Sequence, residues 1–168
     1  MGAFALSQLV GDHGIAAAAA DRALTLNPNS APAWMARGWI CVWVGQPQPA
    51  IEAFENAMRL SPLDPMASIF TGGTAFAHAL AGRYEAAIAW VDRSLSEWPT
   101  YTAAMRLKAA AYVKLDRIAE AQDCVRLLLE IDPGLTIAKF TSFITVIAPP
   151  GLADFLVEGL RQAGLPEE

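Results

Sequence analysis

Chemistry needs titratable or nucleophilic side chains brought together, and this chain of 168 residues offers few. It carries two histidines, His13 and His78, and two cysteines, Cys41 and Cys124. An imidazole titrates near neutrality and can move a proton or hold a metal. A cysteine thiolate can attack a carbonyl. Neither arrangement is completed here. The cysteines stand far apart, with no CxxC neighbour and no paired histidine. There is no P-loop, no GxGxxG, no HExxH and no GxSxG. The carboxylates Glu52, Glu55, Glu85, Asp92, Glu120 and Asp123 are scattered as on a solvated outer face, not grouped as a catalytic pair or a calcium loop. The expectation is a chain without catalytic residues, metal or cofactor. Cys41 and Cys124 then serve as small core residues. His13 is expected to be a solvated turn residue, and His78 a core polar group with one hydrogen bond, the alternative being a functional switch.

Composition narrows the class. Hydrophobic residues make up 54% and charged ones 17%, against about 25% charged in an ordinary soluble domain. Such a chain is too apolar for disorder. Two separated cysteines cannot make a disulfide scaffold. A net charge of −5 argues against nucleic-acid binding through bulk charge. The longest stretch without a formal charge, Pro65 to Gly82, reads PMASIFTGGTAFAHALAG. It is short of the roughly 20 apolar residues of a spanning helix and rich in Gly, Thr and Ser. The start, MGAFALSQLVGDHG, lacks the basic and apolar regions of a signal peptide. A cytoplasmic protein with reduced thiols, making no contact with membrane or nucleic acid, is expected.

The elements that would position any site announce themselves as repeats. The turn residues Gly11, Gly45, Gly82 and Asp116 are separated by 34, 37 and 34 positions. Ala16, Ala50, Ala87 and Ala121 repeat those separations, and so do Pro28, Pro62, Pro99 and Pro133. A period of 34 with helical patterning is the signature of a helix–turn–helix solenoid. Gly38, Ala75 and Ala109 are small enough for a first helix to approach its partner closely. Ala50, Ala87 and Ala121 do the same from the second helix, while Phe54, Val91 and Val125 fill the space between pairs. Each proline follows a second helix and stops it. Ser30–Ala31–Pro32 and Asp64–Pro65 read as helix starts. The three extra residues before Gly82 fall near Pro65–Ser68, where they are expected to lengthen a helix by about one turn.

With Trp34, Gly38, Ala50, Phe54 and Pro62 at their spacings, the sequence resembles the tetratricopeptide repeat family. The next-but-one repeat carries Ala109, Tyr112, Ala121, Val125 and Pro133. The first of these two repeats departs from the pattern at Arg37 and Cys41, the other at Met105 and Lys108. The resemblance implies a right-handed all-α solenoid of about ten helices in five antiparallel pairs, forming a single domain over 1–168. Its repeats would be 1–30 (truncated), 31–64, 65–101, 102–135 and 136–168, the last a degenerate cap turning at Pro149–Pro150–Gly151.

The resemblance further implies that first helices line an inner, concave surface that takes up a peptide. By spacing, that surface comprises Met35, Trp39, Val42 and Trp43 from the second repeat. The third contributes Ile69, Gly72, Gly73, Phe76 and Leu80, and the fourth Arg106, Leu107, Ala110, Val113 and Lys114. It is aromatic and apolar, with two cations at the far end, and suits an apolar or amphipathic segment of a protein partner. Gly72–Gly73 within a helix costs about 1 kcal/mol per glycine, and close approach of a partner's backbone is one reason to keep the pair. The same tryptophans could instead pack as core. The phrases ADRALTLNPNSAPAW, GRYEAAIAWVDRSL and EGLRQAGLPEE also resemble the repeat regions appended to bacterial class III adenylate cyclases and to winged-helix regulators. That resemblance implies a regulatory module whose partner is another domain of the same protein. Phe4, Leu6 and Leu9 give the first repeat an apolar side for a homodimer.

Overall fold

A computed structural model describes residues 13–168. Among them are nine α-helices and no strand. They are α1 (His13–Leu26), α2 (Ala31–Trp43), α3 (Pro47–Leu60), α4 (Ala67–Leu80), α5 (Tyr84–Glu97), α6 (Thr102–Lys114), α7 (Ile118–Ile131), α8 (Ile137–Ile147) and α9 (Pro150–Gln162). The expected all-α repeat architecture is present. The expected helix over Gly2–Val10, and the apolar side of Phe4, Leu6 and Leu9, lie outside the described residues.

The turns follow from the residues the period singles out. Gly45 and Gly82 adopt φ of +73° and +71°, and Asp116 takes the same left-handed conformation at +57°. Glycine has no Cβ to clash there, and Asp is among the few residues that tolerate it. Ser30 caps α2, its Oγ accepting from the Ala33 N–H at 3.3 Å. Trp34 donates its Nε1–H to the Pro28 carbonyl at 2.8 Å, tying α2 to the loop before it.

The insertion behaves differently from the expectation. Most of its length forms a turn rather than an extra turn of helix, and α4 begins at Ala67. Asp64 holds this turn. Its carboxylate accepts from the Met66 N–H at 2.8 Å and from the Ser61 hydroxyl at 2.9 Å. A carboxylate that satisfies nearby donors in this way competes with helix formation.

The stack has two layers. The first helices α2, α4 and α6 touch one another in order, and each packs on its own second helix. The second helices α3, α5 and α7 make no comparable contact among themselves. The side whose helices touch is the shorter one, so the first-helix layer is the inner side of the bend. Between layers, α4 packs on α3 and α6 on α5. Phe54 is fully buried at the first of these junctions. A Cβ on Gly38 would come within 2.7 Å of its ring, and one on Gly73 within 2.2 Å. Two first helices thus close on one aromatic ring because neither carries a side chain at the contact. Val91 and Val125 take the same register with smaller volume and are buried too, with Ala75 and Ala109 at the position of Gly38.

The C-terminal pair breaks the pattern. In the stack a second helix packs mainly on its own first helix and on the first helix of the next repeat. Here α9 packs mainly on α6 and touches α7 marginally, while α8 lies against α9. The tail is pinned as well. Pro166 and Glu167 carbonyls accept from the Ile137 and Ala138 N–H groups at 2.8 and 3.1 Å, satisfying donors at the start of α8.

Phe54→Ala should cost about 3–5 kcal/mol in urea unfolding, as a buried aromatic leaves a cavity. Gly73→Ala should destabilise too, but the double variant should lose less than the sum, because the vacated ring volume accepts the new methyl. Strictly additive losses would show that ring and helix do not share this space.

Candidate functional site

The first-helix layer places the predicted groove residues in three groups. Val42, Gly72, Gly73, Phe76, Leu107 and Ala110 are buried in the chain's own interior. Met35, Trp39, Trp43, Ile69, Leu80, Arg106 and Val113 are partly exposed, and Lys114 is exposed. Gly72 and Gly73 are accounted for from within. A Cβ on Gly72 would fall 2.8 Å from the Tyr101 ring, and Gly73 meets Phe54. The close approach that the two glycines permit is made by this chain's own aromatic rings.

The partly exposed residues centre on an aromatic cluster. Trp39 and Trp43, one helical turn apart on α2, stack with ring centroids 5.5 Å apart and planes 24° from parallel. Trp39 meets the Phe54 ring edge-on at 5.7 Å and Phe76 at 5.7 Å. Both geometries are favourable for rings carrying opposed face and edge charge. Trp39 is therefore both a junction residue between the second and third repeats and part of the inner surface. Met35 and Leu80, partly exposed on α2 and α4, pack against the core. Two open clefts, of about 590 and 540 Å3, lie elsewhere: one among α1, α2 and α3, the other between α7 and the end of α9. Neither is lined by a predicted groove residue.

The far end of the inner face is covered. Gly159 of α9 sits so close to α6 that a Cβ there would lie 2.5 Å from the Ala110 Cα. Phe155 stacks on Tyr84, with centroids 5.7 Å apart, so α9 reaches past α6 to the third repeat. Phe140 of α8 lies beneath the Arg106 guanidinium at 5.1 Å. Arg106 also donates to the Thr102 hydroxyl at 3.1 Å. Burial lowers its pKa, opposed by Asp132 and Tyr101. Tyr101 itself is pushed up to about 12 by burial, so its phenol stays protonated.

Two departures from the repeat pattern prove to be one device. Arg37 pairs with Asp21 of α1, and Lys108 pairs with Asp92 of α5 at 2.5 Å. In both cases the acid precedes the cation by 16 residues. Each pair crosses a junction between repeats, at the position where a leucine is expected. The Asp–cation spacing was readable in the sequence. At the middle junction that position holds Thr74, buried, its hydroxyl donating to the Phe70 carbonyl at 2.9 Å.

The two cysteines are buried. Burial pushes the Cys41 thiol up, against the effect of Arg37, and pushes the Cys124 thiol up, against Lys108. Both stay protonated and weakly nucleophilic. His13 opens α1. His78 stacks on Trp90, with centroids 6.5 Å apart, and its buried Nδ1 has no hydrogen-bond partner. Tyr112, one repeat further on, lies between Lys108 and Arg117. Among the described residues no group of three or more His, Cys, Asp or Glu could hold a metal, and no helix is long and apolar enough to cross a membrane.

Family models described as tetratricopeptide repeat match residues 44–102 and 78–138, together more than half of the chain. The chain belongs to the tetratricopeptide repeat family. No curated protein matches it. Among solved structures, the repeat solenoid is similar to that of MamA, with a TM-score of 0.67 at 21% identity, covering 97% of this chain and 93% of that one. It is similar to YrrB, described as a TPR protein with an unusual peptide-binding site, with a TM-score of 0.61 at 20% identity over 94% and 79% of the two chains. It is also similar to the first TPR of Spaghetti (RPAP3) bound to the HSP90 peptide SRMEEVD. There the TM-score is 0.58 at 20% identity, over 69% and 91%. At such identities the likeness is one of fold. Tetratricopeptide repeat proteins generally mediate protein–protein or peptide interactions, and the family is generally a non-catalytic scaffold.

Burial, with Arg83 nearby, lowers the pKa of His78, partly offset by Glu55. The unfolded chain then binds the proton more readily than the folded one. The stability owed to the neutral ring is complete above the ordinary value of 6.5 and is lost as pH falls through the lower folded value. The urea midpoint should therefore drop between pH 7.5 and 5 by more in the wild type than in His78→Leu. Equal drops would assign the acid sensitivity to other groups.

Proposed function

We propose that this chain is a non-catalytic interaction scaffold whose first-helix face takes up an apolar or amphipathic segment of a protein partner. The observation that carries this reading is the stacked Trp39–Trp43 pair, partly exposed on the inner layer, with Met35 and Leu80 partly exposed on the same layer of helices. Large aromatic rings supply much contact area at small entropic cost and are enriched where proteins bind one another. The surface available to the partner is narrower than the full predicted set. It comprises Met35, Trp39, Trp43, Ile69 and Leu80, because Val42, Gly72, Gly73 and Phe76 lie beneath it and α9 covers the stretch around Ala110. Two structural relatives carry peptide binding in their own descriptions, which supports a peptide ligand here. We read residues 1–168 as one solenoid domain acting in the cytoplasm, without contact to nucleic acid.

A second reading is a regulatory module joined to a signalling domain, supported by the resemblance of ADRALTLNPNSAPAW and EGLRQAGLPEE to repeat regions of that kind. The same aromatic face would then dock a domain of its own protein, or a second copy. The content of the full open reading frame separates the two.

Trp43→Ala, and the Trp39→Ala/Trp43→Ala pair, should abolish capture of partners that the wild type retains in a pull-down read by mass spectrometry, with helical circular dichroism kept. Undiminished capture by the folded double variant would remove the face from the binding site.

A further inference from the structure

The docking of α9 says what kind of ligand the inner face accepts. It packs mainly on α6, a first helix of the preceding repeat, whereas the second helix of a continuing repeat would pack mainly on its own first helix, here α8. In repeat register Ala110 follows Trp39 and Phe76, so α9 covers the continuation of the aromatic row. Leu152, Leu156 and Leu160 form an apolar stripe on α9 at a spacing of four, all buried. Gly159 permits the helix axes to close at Ala110. Phe155, one turn earlier, anchors on Tyr84. Asp154, Glu158 and Arg161 face outward. This is an amphipathic helix laid in a helical groove, and it happens to belong to the same chain.

We propose that α9 is an intramolecular ligand of the first-helix face, and that the partner of this face is an amphipathic α-helix with an aromatic anchor one turn before a small crossing residue, which competes with α9. The proposal rests on the reading of the first-helix layer as the binding face. Extended peptides suit this surface less well. Their backbone groups need a sheet edge or polar side chains to bond, and the described inner face offers buried alanines, aromatic rings and a guanidinium already seated over Phe140. A helix satisfies its own backbone and presents only side chains. Competition follows from geometry, since a ligand lying along the whole row must displace Gly159 from Ala110.

The test uses the full chain. In Gly159→Leu the new side chain would be driven into the α6 backbone and should expel α9. Ala110→Leu fills the same contact from the α6 side and is the companion variant. The probe is a synthetic peptide of residues 150–162, PGLADFLVEGLRQ. It should bind Gly159→Leu at least about tenfold more tightly than the wild type, where α9 already holds the site, and gain helicity on binding. It should not bind Ala110→Leu. The peptide carrying Glu158→Pro, which cannot form the helix, should not bind Gly159→Leu, while Glu158→Gln should. Equal binding to wild type and Gly159→Leu, no binding to either, or equal binding of the proline peptide each overturns the proposal. So does global unfolding of both variants, which would make α9 inseparable core. Failure of the face itself reads out elsewhere: the Trp39→Ala/Trp43→Ala variant would still capture its partner, whatever the peptide does.

Discussion

Everything in this molecule depends on helices coming close enough to share side chains between repeats, and the closest approach is at Phe54. The ring is fully buried between two glycines, Gly38 of its own repeat and Gly73 of the next. Full burial of a phenylalanine is worth about 1.5–3 kcal/mol relative to exposure. That gain requires three helices to converge on one ring, and side chains at either glycine would hold them apart. Glycine inside α4 weakens the isolated helix, so α4 is a helix made stable by its neighbours. Ser68 and Phe70 through Ala77 are all buried; the Thr71 and Thr74 hydroxyls donate to carbonyls of α4 itself, and Ser94 of α5 donates across to the Ser68 carbonyl at 2.6 Å. The apolar middle of the chain, which on composition alone suggests a membrane, is the centre of the stack.

The junctions on either side are built differently. There the smaller Ala20 and Val91 stand in the register of Phe54, and a charged pair spans the gap. Partly exposed pairs of this kind contribute little, typically under about 1 kcal/mol. Their value lies more in register, because an Asp and a cation 16 residues apart meet in one alignment of neighbouring helices and miss in a slipped one. A solenoid whose stability is a sum over neighbours therefore has a strong apolar middle and electrostatically aligned flanks.

The repeat period, the turns at Gly45, Gly82 and Asp116, the cap at Ser30 and the small-residue contacts were all legible in the sequence, because each is a local requirement of one residue type at one place. The 37-residue spacing located the insertion, but not that Asp64 would turn it into a loop. Arg37 and Lys108 looked like defects of the pattern and are partners of Asp21 and Asp92. The relation was visible as a shared spacing, but its meaning depended on knowing which helices adjoin. The groove residues were legible as a face of α2, α4 and α6, yet periodicity cannot say which members of a face lie beneath others. Gly72 looks like an open position until Tyr101 is known to fold over it.

The C-terminal pair was the least legible part, and the reason is physical. An amphipathic helix advertises an apolar stripe, not the surface that will cover it. Both α6 and α7 offered α9 an apolar seat. In the stack α4 and α6 each close on the second helix before them, whereas α8 makes no comparable contact with α7. Phe143, in the register of Gly38, Ala75 and Ala109, is left 55% exposed. With α8 excluded from the stack, α9 settles where Gly159 can meet Ala110, on the inner layer. The last helix thus lies on the surface that earlier repeats leave open, and the aromatic cluster at Trp39 remains outside its reach.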